Sequence, residues 1–165
     1  MTATAAELYA DLDLELAATR RVLERVPFEH WNWKPHEKSM ALGALARHLA
    51  ELPQFAEQMA TTSELDMARV PFTPSVVNNR EELLALFDGR AARMRQVVKS
   101  LDEKKLAEHW KLKMGDQVFL DAPRSLLLRQ HGVSHPVHHR AQLIVYLRLL
   151  NVPIPGLYGP SADES

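Results

Sequence analysis

Apolar residues recur at spacings of three and four over four long stretches of this chain, and each stretch predicts an amphipathic helix. Leu8, Leu12, Leu16, Thr19, Leu23 and Val26 set the first, over 5–26, which Pro27 ends. The second is predicted over 40–61 with Ser39 as its N-cap. Pro53 lies inside it, where proline loses the bond to the carbonyl four residues back and bends the helix. Leu83, Leu84, Phe87, Ala91, Met94, Val97 and Val98 line one side of a third helix over 80–101, with charged residues opposite. The fourth spans 124–150.

The segments between these helices carry neither period. Residues 27–38, with Trp31, Trp33, Pro35 and His36, are expected to form an ordered aromatic-rich loop, and 62–79, with Pro71 and Pro74, a second loop. The pattern breaks again over 102–123, where 110–120 around Gly115-Asp116 is a loop or a short hairpin. The tail from Val152 is too rich in proline and glycine to be helical, and there is no internal repeat. Four helices without a convincing set of strands predict an all-α fold, an up-and-down four-helix bundle with long inter-helix loops.

A length of 165 residues suits one domain over 1–165, large enough for a continuous core. The absence of cysteine excludes disulfides, thiolate metal sites and a cysteine nucleophile, so any sulfur chemistry must be borrowed from a cofactor. Charges of both signs are scattered to a net −1, with no basic stripe for a phosphate backbone, which argues against nucleic acid as a partner. The N-terminus has neither a basic nor an apolar leader region. No apolar run approaches the roughly 20 residues that span a bilayer. A cytoplasmic protein with no membrane partner is the expectation.

Histidine placement changes the picture most. His135 and His139 stand four residues apart and so share one helix face. On a wheel of about 100° per residue they fall in line with Leu128, Leu143, Tyr146 and Leu150, and His48 falls in line with Leu45, Leu52, Phe55 and Met59. All three imidazoles therefore point inward. A lone histidine on an apolar face is ordinarily a half-buried residue bonded to a neighbour, and that reading stands beside the second one, a metal ion held by His48, His135 and His139. Leaving three such rings unpaired in a core costs roughly 1–3 kcal/mol each.

The position after His135 is Pro136, not the glutamate of a zincin helix, which disfavours metalloprotease chemistry. Three neutral imidazoles would leave a divalent ion its full charge and an open position for water or a small thiol. Pro136 requires either a kink or a fresh helix start with Ser134 as cap. Glu51, three residues after His48, is either a solvated carboxylate or a partner, ligand or proton carrier at the site, and His138 lies beside the inward face. His30, His109 and His131 carry no spacing signal. Leu126, Val133, Val137 and Ile144 form a second apolar stripe on the fourth helix. A symmetric homodimer would cover it, or else the 102–123 segment or the tail lies over it.

Four segments together resemble the DinB/YfiT family of helical bundles: Trp33-Lys-Pro-His-Glu-Lys-Ser39, Leu42-Gly-Ala-Leu-Ala-Arg-His48-Leu-Ala-Glu-Leu-Pro53, His135-Pro-Val-His-His-Arg-Ala-Gln-Leu143 and Pro153-Ile-Pro-Gly-Leu-Tyr-Gly-Pro160. The likeness covers nearly the whole chain; Ala141 stands where the family usually has glycine. It implies a four-helix bundle with nickel or zinc on three histidines, matching His48, His135 and His139. It also suggests a metal-dependent transferase or hydrolase acting on an unidentified small molecule through water or a low-molecular-weight thiol. On that reading Trp33, His36 and Tyr146 rim the pocket, and Glu51 or His138 moves protons. The other reading is a non-catalytic stress-response protein in which the metal ties two helices together.

Overall fold

The computed structural model describes residues 4–70 and 73–164. Helix α1, Ala5–Leu23, starts at a reciprocal cap in which the Thr4 hydroxyl accepts from the Glu7 N–H and the Glu7 carboxylate accepts from the Thr4 N–H. All six apolar-stripe positions expected of it, Leu8 to Val26, are buried. It ends before Val26, which lies in the turn that follows.

A single turn at Phe28–His30 opens the aromatic segment. Trp31 stacks on Phe28 with ring centroids 4.5 Å apart and covers Gly43, where a Cβ would lie 2.1 Å from the indole ring. Only glycine permits that approach. Helix α2, Leu42–Thr61, starts two residues later than expected, and Ser39 does not cap it. Its first N–H groups are satisfied by backbone instead, Leu42 donating to the Trp33 carbonyl and Gly43 to the Trp31 carbonyl at 2.8 Å each. The helix runs unbroken through Pro53.

The connection to α3, Arg80–Lys99, holds strand β1, Glu64–Asp66. Pro71, assigned to this connection from sequence, lies outside the described residues. Asn79 caps α3 by accepting the Glu82 N–H at 2.8 Å. After the short α4, Glu103–Ala107, come β2, His109–Met114, and β3, Gln117–Pro123, an antiparallel hairpin that turns at Gly115 with φ +59°. β1 pairs in parallel with β2, giving the order β1-β2-β3. The expectation of an all-α chain is thereby corrected: the protein is helix-rich and carries a small three-stranded sheet.

Arg124 binds the sheet region to α2. Its fully buried guanidinium donates to the Met59 carbonyl and, at 2.7 Å, to the Thr62 carbonyl, the free acceptors at the end of α2, and it also reaches the Lys105 carbonyl at 3.2 Å. From Arg124 the chain is helical to Leu149: α5, Arg124–Leu127, a π-helical turn over Leu128–Ser134, and α6, His135–Leu149. Within this run the His135 N–H bonds to the Gln130 carbonyl five residues back. Pro136 is thus accommodated by a widened turn just ahead of it, and not by a break with Ser134 as cap; Ser134 is helical and makes no capping bond. Gly132 lets that turn approach closely, since a Cβ there would meet Leu12 at 2.9 Å and Ala56 and Met94 at 3.5 Å.

The four long helical stretches enclose one apolar cluster: α3 packs on α1 and α2, and α6 packs on both of the latter. The tail lies against the second apolar stripe, with Pro155–Ser161 facing Val137 and Ile144, while Leu126 stays 56% exposed. Arg140, fully buried, fastens this arrangement by bonding the Glu15 carboxylate at 2.5 Å, the Glu15 carbonyl at 3.0 Å and the Tyr158 hydroxyl.

Candidate metal centre

Packing of α6 on α2 brings His48 onto the pair His135 and His139. The ring centroids are 4.7 Å apart for His48 and His139, 5.4 Å for His48 and His135, and 4.6 Å for His135 and His139. One ring nitrogen from each lies within 4.8 Å of the other two, close enough for the three to hold one metal ion. All three rings are partly buried.

The protonation of the site follows from its partners. Burial pushes the His48 ring below the usual imidazole range, with His139 adding to the effect. Burial likewise pushes His135 down to about 4, helped by His139 and His48. At neutral pH these rings are neutral and offer lone pairs. His139 Nδ1 lies 2.8 Å from the Gln142 side-chain oxygen, which can only accept, so Nδ1 carries the proton and Nε2 is free. That Nε2 faces His135 Nε2 at 2.8 Å. With His135 Nε2 donating across this contact, its Nδ1 is left as a bare acceptor, and it is buried without a partner. The donor set fits a divalent ion of the imidazole-accepting kind, zinc, nickel, copper or iron.

A cavity of about 510 Å3 opens beside the centre, with His48 and His135 in its lining. Its walls come from α2, through Leu52 and Phe55, and from the sheet region, through Leu65 and Leu112; Glu51 and Arg90 supply charge. Glu51 is 7% exposed and accepts the Ser75 N–H at 2.7 Å, so it is a buried partner of the α2–α3 connection and not a solvated flank. The expected rim is placed elsewhere: Trp33 meets Tyr146 edge-on at 5.6 Å, exposed His36 accepts the Lys38 N–H through Nδ1, and none of the three lines this cavity. His138 is exposed with its ring 4.9 Å from that of His139, and it too lies outside the lining.

Sequence reasoning missed three residues. Gln142 orients His139, and its place three residues on, one helical turn away, was a usable signal. His131 stands one turn before His135 with ring centroids 5.9 Å apart; its Nε2 is buried without a partner and burial lowers its pKa. The third, Arg90, carries no signal in its spacing because its partners come from α2 and a loop.

A helix-rich protein with a three-histidine centre open to a cavity is the class that fold and site define. A family model described as the DinB family matches residues 1–165, and the chain belongs to that family. It is similar to DinB-like proteins from Bacillus cereus (18% identity, TM-score 0.71, covering 96% of this chain and 100% of the other) and Bacillus subtilis (19%, 0.70, 91% and 96%). A DinB-family protein from Exiguobacterium sibiricum is also similar (21%, 0.66, 100% and 99%). At these identities the likeness establishes the fold alone. No curated protein matches the chain.

Proposed function

We propose that this protein is a metal-dependent enzyme in which His48, His135 and His139 hold one divalent ion, nickel or zinc, on an up-and-down four-helix bundle of the DinB type. The observation that carries the reading is the convergence of one ring nitrogen from each of three histidines, within 4.8 Å of one another, at the wall of a substrate-sized cavity. An ion bound there supplies Lewis-acid activation of a water or a low-molecular-weight thiol, for transferase or hydrolase chemistry. The chain's own residues do the rest. Gln142 holds His139 in the tautomer that presents Nε2, the apolar walls restrict water, and Glu51, one turn from His48, stands in the cavity as the group able to take up a proton. A cavity joined to the centre favours an enzyme over a purely structural ion, which would sit in a closed site.

Elemental analysis of untagged protein purified without added metal tests this against the His135→Ala, His139→Ala double variant. Near-stoichiometric nickel or zinc in the parent and its loss in the variant is the expected result. No metal in either, even after reconstitution, overturns the reading. A cytoplasmic location belongs to the same proposal, as does a homodimer over the stripe of Leu126, Val133, Val137 and Ile144, of which the tail covers Val137 and Ile144 and leaves Leu126 exposed. Light scattering on Leu126→Glu reads the dimer, and an unchanged dimer mass counts against that surface. Among the described residues no helix is long and apolar enough to cross a membrane.

A further inference from the structure

Arg90 projects from the middle of α3 into the lining of the cavity, where it is the one lysine or arginine among the described residues. Its own contacts leave it incomplete. One guanidinium nitrogen donates to the Ser75 hydroxyl at 2.9 Å, and the other terminal nitrogen, Nη1, is buried with no hydrogen-bond partner. Glu51 does not supply one. Its nearer oxygen lies 3.9 Å from Nη1, beyond hydrogen-bonding reach, and is taken by the Ser75 N–H at 2.7 Å. Ser75 thus bonds to both charged groups, which stay 3.9 Å apart. A buried charged donor without an acceptor is costly, and the side chain that carries it borders a space large enough to hold one.

The charge balance favours an anion. Glu51 and Arg90 cancel, so a divalent ion on the three histidines leaves the cavity with surplus positive charge between apolar walls. A phosphate would bring nearly two charges and three strong acceptors to a lining that offers one free cationic nitrogen. A carboxylate brings one charge and needs only one such donor. Leu52, Phe55, Leu65, Met67 and Leu112 offer an apolar body its contacts.

We propose that the cavity binds a small organic acid, a carboxylate on an apolar body, anchored by Arg90 beside the histidine centre. The proposal rests on the metal-centre reading for the surplus charge, but the anchor itself does not require the ion. Hexanoate and phenylacetate, each titrated calorimetrically against its neutral amide, are the probes, with zinc-loaded and chelator-treated protein compared. The zinc form is expected to bind each acid at least about 10-fold more tightly than its amide. Arg90→Gln lowers that preference to what the ion alone contributes, and Arg90→Lys, which keeps the charge, retains more of it.

Preference undiminished in Arg90→Gln would place the carboxylate on the ion alone and overturn the anchor. So would the absence of any acid-over-amide preference, or an Arg90→Gln variant that melts earlier with its selectivity unchanged. Zinc content measured on the same samples separates the two readings. A parent that binds no zinc sinks the metal centre, while an Arg90-dependent preference in chelator-treated protein still upholds the anchor.

Discussion

Replacing Gln142 by leucine tests whether the residue beyond the three histidines sets the state of the site. The Gln142 oxygen accepts the His139 Nδ1 proton at 2.8 Å and so keeps Nε2 unprotonated toward His48 and His135. Without that acceptor the proton redistributes between the two ring nitrogens and the ring is free to turn. Outer partners of metal-bound histidines are commonly worth about 10- to 100-fold in affinity. Gln142 is exposed, so water replaces part of the lost bond, whose net worth is about 0.5–1.5 kcal/mol. The expected loss is therefore at the low end, about 5- to 10-fold in zinc affinity at pH 7. Competition against a chromogenic chelator reads it directly, with His139→Ala as the reference for a lost ligand. Gln142→Glu, which keeps an acceptor, is expected to bind at least as tightly as the parent. Zinc affinity within about 2-fold of the parent in Gln142→Leu, beside a large loss in His139→Ala, would refute the orienting role.

Two further outcomes follow from burial. His135 has its folded-state pKa depressed from the ordinary 6.5 to about 4, so protonation favours the unfolded chain; stability is whole above about 6.5 and is lost as the pH falls toward 4. The full shift corresponds to about 3 kcal/mol. Because the ring is partly open to solvent, the loss expected is about 1–2 kcal/mol. Urea unfolding with chelator present at pH 7.5 and pH 4.5 should show the parent losing that much more stability than His135→Asn, and equal losses would contradict it. Arg124→Met removes the donors to the carbonyls of Met59, Thr62 and Lys105, the first of these bonds buried and the other two partly so, and should cost about 2–4 kcal/mol, lowering Tm by about 10 °C. A fall of under about 3 °C in differential scanning fluorimetry would show those carbonyls to be satisfied another way.

The long helices were legible because their information is local. Every apolar position expected on α1 is buried, and the same period sets the inward direction of His48, His135 and His139. What was not legible depends on partners distant in sequence. β1 is three residues, too short to show an alternation, and exists only because Glu64–Asp66 pairs with Lys111–Lys113. Ser39 resembles a cap, yet the aromatic loop folds back to offer the Trp31 and Trp33 carbonyls in its place. Arg140 sits in the histidine segment, which suggests chemistry, but its bonds to Glu15 and Tyr158 make it a fastener between α6, α1 and the tail. Arg90 reads as one more charge on the polar face of α3 until Glu51 and Ser75 are placed opposite it.

The cavity is divided between two kinds of chain. Its histidines stand on long, core-packed helices, while Leu65, Met67, Val70, Thr73 and Leu112 come from the connections between helices and from the little sheet those connections form. The helices that would hold a reactive centre, together with the Arg90 anchor, are therefore separable under mutation from the part of the wall that meets the rest of a ligand. The connecting wall can change its side chains or length with little strain on the helices, because surface connections tolerate substitution and insertion better than packed cores do. One scaffold of this kind can acquire new ligands while its centre stays as it is. The same division makes positions 65, 67 and 112 the place to randomise for anyone wishing to retarget the protein by directed evolution.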